Sequence, residues 1–114
     1  MYKIIFLITI LSISSCSDNS LNFLSMADWG GTDHSPYTHT GERNVASAMN
    51  KMVGNNNYEF TLAVGDNFYY YGVKDRHDAR FNQTFEKVFS GINLIDFPFY
   101  VVAGNHDYRG NVSA

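Results

Sequence analysis

Five side chains with chemistry to offer fall in three short polar loops: Asp28, then Asp66 and Tyr69, then Asn105 and His106. Brought together, they would set two carboxylates, a phenol, an amide and an imidazole around one point. Two ionised carboxylates at short range repel strongly unless a cation lies between them. Aspartate, tyrosine and asparagine all present oxygen donors, the ligand type that hard metal ions take. Asp66 has two oxygens and could serve two ions at once, as in hydrolases whose paired metals sit about 3.5–4 Å apart. Tyr69, three residues on, can turn its phenol back toward the ion that Asp66 holds. A phenol ionises near a pH of about 10, so only a strongly acidic ion such as Fe(III) favours its phenolate at low pH. Taken one at a time the same motifs are ordinary. Gly-Asp-Asn makes turns, an aspartate after a strand caps the next helix, and a Tyr69-Tyr70-Tyr71 run packs.

Each loop ends an apolar run. Residues 21–27 (LNFLSMA) lead into Asp28-Trp29-Gly30-Gly31, residues 60–64 (FTLAV) into Gly65-Asp66-Asn67-Phe68-Tyr69, and residues 99–103 (FYVVA) into Gly104-Asn105-His106-Asp107. Such runs, lacking clean alternation, predict strands buried on both faces of a parallel sheet covered by helices. Between them, residues 42–53 predict a helix with Val45, Met49, Met52 and Val53 on its inward stripe, ended by Gly54-Asn55-Asn56-Asn57. Residues 79–89 predict a second helix, with Phe81, Phe85, Val88 and Phe89 inward, Asp75 or Asp78 as cap, and Gly91 after its end. Asp28 and Asp66 are 38 residues apart, and Asp66 and Asn105 are 39. Two successive βαβ units of about 30 residues or more would give that spacing. Loops at the carboxyl ends of such strands lie side by side, so chain order predicts that the five residues converge. Residues 31–41, with His34, Pro36 and His39, predict an irregular rim where the histidines are solvated.

The 114 residues suit at most one small domain. With 45% hydrophobic and 17% charged residues the chain is unlike a disordered one. A formal net charge of −3 argues against nucleic-acid binding by phosphate neutralisation. Cys16 is the only cysteine, so no intramolecular disulfide can form. Met1-Tyr2-Lys3, the apolar run 4–13 and the small residues after it have the layout of a secretory signal peptide over residues 1–16. The run is too short to span a membrane. Ile13-Ser14-Ser15-Cys16 also resembles a bacterial lipoprotein box, which would make Cys16 a lipid anchor. The expected location is therefore secreted or lysosomal, with lipid anchoring as the alternative, and the folded part is expected over residues 21–114. Asn82-Gln83-Thr84 and Asn111-Val112-Ser113 are glycosylation sequons in a eukaryotic host.

The three loop motifs resemble the first three motifs of the purple acid phosphatases, a branch of the calcineurin-like metallophosphoesterases. Residues 65–89 and 99–114 look closest to the small, animal-type, tartrate-resistant members. Two details carry the resemblance: the first motif is Asp28-x-Gly30, where most other metallophosphoesterases have Asp-x-His, and the second is Asp66-x-x-Tyr69. It implies an α/β fold, the N-terminal βαβαβ part of a metallophosphoesterase α/β sandwich that this chain leaves incomplete.

By the same resemblance, Asp28 and Tyr69 would bind Fe(III), and Asp66 would bridge it to a second divalent metal, Fe, Zn or Mn. Asn105 would ligate the second metal. His106 would stand outside the coordination shell, contact the phosphate and protonate the leaving group, with Asp107 orienting His106 or its loop. The implied substrates are phosphate monoesters, on small molecules or proteins. The family's later ligands come from a Val-x-x-His element and a Gly-His-x-His element, which these 114 residues lack. His34, His39 and His77 lie on no metal motif and do not replace them. The chain is accordingly expected to be an N-terminal part, inactive alone, with a sheet edge open for the remaining half to pair. The alternatives are a metallophosphoesterase acting on diesters or nucleotides, and a secreted or anchored scaffold of the same fold without catalysis.

Overall fold

A computed structural model describes residues 20–114; the expected leader at residues 1–16 and the fate of Cys16 lie outside the described residues. The described chain runs β1 (Phe23–Met26), α1 (Thr40–Asn55), β2 (Phe60–Ala63), a π-helical segment (Phe81–Glu86), β3 (Phe99–Val101) and a 3-10 turn (Asp107–Arg109). The three strands form one parallel sheet in the order β1-β2-β3. Phe23 pairs with Phe60 and Met26 with Ala63, while Thr61 pairs with Phe99 and Ala63 with Val101. Both connections cross over the sheet, as parallel neighbours require, so all three strands deliver their following loops to the same edge. No helix among the described residues is long and apolar enough to cross a membrane.

Side chains alternate between the two faces of a strand. Thr61 and Ala63 of β2 are fully buried on one face, with Leu24, Met26 and Phe99 beside them. That face meets Ala46 and Met49 of α1 together with Trp29, Phe89 and Leu94, forming the core. The other face carries an aromatic row across all three strands. Phe60 stacks on Phe23 at 5.3 Å and meets Tyr100 edge-on at 5.4 Å, and Phe23 and Tyr100 are exposed. The expectation of strands buried on both faces is thus corrected. Among the described residues the helical cover lies on one face, and the runs are apolar on both.

α1 starts earlier than its apolar pattern suggests. His39 caps it: its Nδ1 accepts from the Glu42 N–H at 3.2 Å, and Glu42 Oε2 accepts from the His39 N–H at 3.4 Å. The inward face runs through Glu42, Ala46 and Met49, while Val45 and Met52 are exposed. The small Ala46 side chain lets the helix approach the sheet, which turns Val45 and Met52 outward. The second helix also departs from expectation. Phe81–Glu86 is a wider turn in which the Lys87 N–H reaches back five residues to the Asn82 carbonyl at 2.9 Å. Asp78 does cap the approach, accepting from the Arg80 N–H at 3.0 Å. Phe85 and Phe89 then both pack on Trp29, at 5.6 and 5.5 Å, and Phe81 packs on Phe68.

Candidate metal centre

Asp28 and Asp66 follow β1 and β2 by two and three residues, and both adopt the left-handed backbone region, with φ of +55° and +52°. That region is costly for side-chain-bearing residues and least so for Asp and Asn, and such residues concentrate at functional sites. The turn it produces lifts each carboxylate off the end of its strand. The Asp28 N–H donates to the Gly65 carbonyl at 3.2 Å, tying the first two loops together.

Tyr69 joins the two aspartates. Its hydroxyl lies 2.6 Å from Asp28 Oδ1 and 3.2 Å from Asp66 Oδ2. A phenol has one proton to donate, so one of the two carboxylates goes without a full hydrogen bond. Three oxygens sharing one proton is a donor set suited to a hard cation. Burial, reinforced by the hydrogen bond and charge of Asp28 and of Asp66, pushes the Tyr69 phenol well above the ordinary tyrosine range. Among the described residues no three His, Cys, Asp or Glu side chains cluster. The convergence consists of two carboxylates and a phenol, and it fits an oxygen-ligated metal.

The third loop docks onto this group through its backbone. Asp66 Oδ1 accepts from the His106 N–H at 3.0 Å, and Gly104 lies so close to Asp66 that any Cβ there would strike the Asp66 nitrogen and carboxylate. Asn105, exposed, lines an open cleft of about 140 Å³ with Asp28, Gly65 and Asp66. His106 Nδ1 lies 2.9 Å from the Tyr70 carbonyl, and its ring meets the Tyr69 ring at 4.5 Å. A carbonyl can only accept, so Nδ1 carries a hydrogen and a neutral ring keeps its lone pair on Nε2.

Behind the cleft a buried polar chain connects all three loops. Trp29 Nε1 donates to Asn67 Oδ1 at 3.1 Å, and Asn67 Nδ2 donates to the Val102 carbonyl at 2.8 Å and Asp107 Oδ2 at 2.9 Å. Asp107 also accepts from the backbone N–H groups of Asn67, Phe68 and Gly104. Asp107 therefore holds the second and third loops by their backbones and makes no hydrogen bond to the His106 side chain. Sequence reasoning assigned no role to Trp29 or Asn67; both stand inside the loop motifs, which was the available signal. Gly30 belongs to the same frame. A Cβ at this position would lie 2.6 Å from the Asn67 carbonyl carbon and the Phe68 nitrogen, so a side chain such as histidine does not fit on this backbone.

The remaining histidines stand apart. His34 is exposed and pairs with Asp33 at 2.9 Å. His77 accepts from Arg76 Nε on the surface. His39 is exposed, as expected of a rim residue, and in addition caps α1, its ring nitrogen satisfying an otherwise orphaned helical N–H.

Residues 21–114 match the family model described as calcineurin-like phosphoesterase. The chain is 41% identical over 110 residues to rat tartrate-resistant acid phosphatase type 5, covering 96% of this chain and 34% of the relative. It is 40% identical over 117 residues to the human protein of that name, covering 36% of it. Against purple acid phosphatase 17 of Arabidopsis thaliana it is 36% identical over 101 residues, covering 86% of this chain and 27% of the relative. The chain spans about a third of the length of the curated relatives it matches best among these. The match over nearly all the described residues, on a parallel sheet whose loops gather Asp28, Asp66 and Tyr69, means that the chain belongs to the calcineurin-like phosphoesterase family.

Proposed function

We propose that the protein is an acid phosphatase acting on phosphate monoesters through an Fe(III)–M(II) pair, M being Fe, Zn or Mn. The observation that carries this reading is the Tyr69 hydroxyl set between Asp28 and Asp66. Asp28 and Tyr69 would hold the Fe(III), Asp66 would serve both metals, and Asn105 would hold the second. Bound there, such a pair supplies Lewis acidity toward phosphate oxygens and an acidified water. The chain's own residues do the rest. Asp28 and Asp66 supply negative charge that balances the cations, and the Asp107 frame keeps the loops at fixed spacing. His106, with Nδ1 held by the Tyr70 carbonyl, keeps Nε2 to carry a proton to the departing oxygen. Relatives named as acid phosphatases over the same residues support the substrate class.

Two further expectations belong to this reading. β3 ends the strand order β1-β2-β3 among the described residues, and the rest of the protein would pair along its free side. Residues 1–16 would direct it to a secreted or lysosomal location, or anchor it through Cys16. The test is a panel of phosphate mono- and diesters assayed with the full-length protein and its Asp66→Ala variant. Acid-side monoester hydrolysis lost in the variant supports the reading; preference for diesters would favour a different branch of the family, and inactivity of the wild type would favour a scaffold.

A further inference from the structure

Arg80 lies outside all three loops, just before the π-helical segment, and nothing in the motif reading points to it. It is 6% exposed, yet among the described residues no carboxylate pairs with its guanidinium. A buried charge without a counter-ion is costly unless its donors are all well used. Here three of its five N–H donors are used on backbone carbonyls. Nη1 donates to the Gly72 carbonyl at 2.5 Å, and Nη2 donates to the Thr32 carbonyl at 2.8 Å and to the Tyr69 carbonyl. The Tyr37 ring covers the guanidinium, 5.2 Å from its carbon.

The three acceptors come from the two loops that flank the candidate metal centre. Thr32 follows the Asp28 motif, and Tyr69 and Gly72 lie in and after the Asp66 motif. The other side of Tyr69 is fixed as well, since its N–H donates to the Gly30 carbonyl at 3.1 Å. Tyr69 is therefore gripped at both ends of its backbone, by Gly30 and by Arg80, while its hydroxyl reaches the two aspartates. We propose that Arg80 is a positioning residue for Tyr69: its guanidinium clasps the Tyr69 carbonyl to the Asp28 loop and so sets the phenol against Asp28 and Asp66. A lysine cannot replace it, because an ammonium is a compact point charge without the planar fork that reaches three separated carbonyls. This role rests on the metal reading given above, and Arg80 itself stands outside the ligand set, acting on Tyr69 through its backbone carbonyl.

The experiment compares wild-type full-length protein with Arg80→Lys, following the visible Fe(III)–phenolate absorption and Fe(III) affinity, with far-UV circular dichroism reporting the fold. A positioning role predicts a folded variant whose absorption maximum moves and whose Fe(III) affinity falls by roughly 10- to 100-fold, the range for groups that orient a ligand. A folded variant with an unmoved band and affinity within about twofold of wild type overturns the role. A wild type that binds no Fe(III) at all overturns the metal reading and the positioning role with it. If Arg80→Lys does not fold, the wild type decides. With ¹⁵N-labelled arginine and Ga(III) as a diamagnetic stand-in, the Arg80 Nη resonances shift on loading if the guanidinium is coupled to the Tyr69 phenol, and unshifted resonances overturn the coupling.

Discussion

Asp107 and Asn67, 40 residues apart in the chain, are joined by three hydrogen bonds: the Asn67 N–H lies 3.1 Å from each Asp107 carboxylate oxygen, and Asn67 Nδ2 lies 2.9 Å from Oδ2. Both residues are buried. The same carboxylate takes the N–H groups of Phe68 and Gly104, so one side chain fixes two of the three loops that surround the candidate site. Asp107→Asn would replace one acceptor oxygen with a donor that faces other donors. Leaving buried N–H groups unpaired costs about 1–3 kcal/mol each, so the variant should lose roughly 2–4 kcal/mol of stability in denaturant unfolding. It should lose activity beyond what the fraction folded explains. Stability within about 0.5 kcal/mol of wild type would mean the frame tolerates the exchange and the inference is wrong.

Tyr69→Phe removes one oxygen and its proton and keeps the ring against His106 and Tyr70. On the proposed Fe(III) reading, loading wild type with Fe(III) should give a visible phenolate absorption that this variant lacks altogether, while far-UV circular dichroism stays unchanged. The Asp28 and Asp66 carboxylates then face one another without the shared hydroxyl, so Fe(III) affinity should also fall. A variant that retained the visible band would place a different phenol on the metal, and Tyr37, Tyr70 and Tyr71 would be the next positions to test.

His106→Ala separates proton transfer from metal binding. The contact between this loop and Asp66 runs through the His106 backbone N–H, which alanine keeps. Metal content and the visible band should therefore survive. Turnover should drop by roughly 10²- to 10⁴-fold, the range for a positioned general acid, and most for substrates whose leaving group is poor. Phenyl phosphates with acidic leaving groups should be nearly spared. Loss of the metal in this variant would show that the imidazole is a ligand.

The order of strands, their parallel pairing and the gathering of Asp28, Asp66 and Tyr69 were legible because they follow from short apolar runs and from the placement of each polar motif at a run's end. Strand limits were legible only approximately: β3 stops at Val101, two residues before the apolar run does, because Ala103 and Gly104 already belong to the turn onto Asp66. The large apolar side chains of α1 do not mark its inward face: Val45 and Met52 are exposed and Ala46 is buried. Burial chose Ala46 over Val45 because approach distance, set by the smallest residue, decides which side meets the sheet. His39 as a cap was not legible because histidine is not among the residues that usually cap helices, and Arg80 as a clasp was not because it works through carbonyls of segments that the pattern marks as loop. Side-chain chemistry leaves a signature in residue type; a carbonyl acceptor 48 residues away leaves none.

Glu42 makes the protein's stability depend on pH in a way that can be isolated. Its carboxyl is buried on α1, with Oε2 accepting from the Thr38 hydroxyl at 2.5 Å and from the His39 N–H, and Oε1 without a partner among the described residues. Burial raises its pKa above the ordinary 4.5, against the opposing pull of the Thr38 and His39 hydrogen bonds and the His39 and Arg43 charges. A carboxyl whose folded value is raised binds its proton more tightly when folded. Its contribution to stability is complete below pH 4.5 and is lost as the pH rises through the higher folded-state value. Glu42→Gln holds the side chain neutral at every pH and removes that loss, whatever constant offset the amide adds. Melting temperatures of the full-length protein should therefore show the variant gaining on wild type as the pH is raised from about 4 to about 7. A difference that stays flat across that interval would mean the Glu42 carboxyl titrates in the folded protein as it does in the unfolded chain, and that its burial is relieved by water.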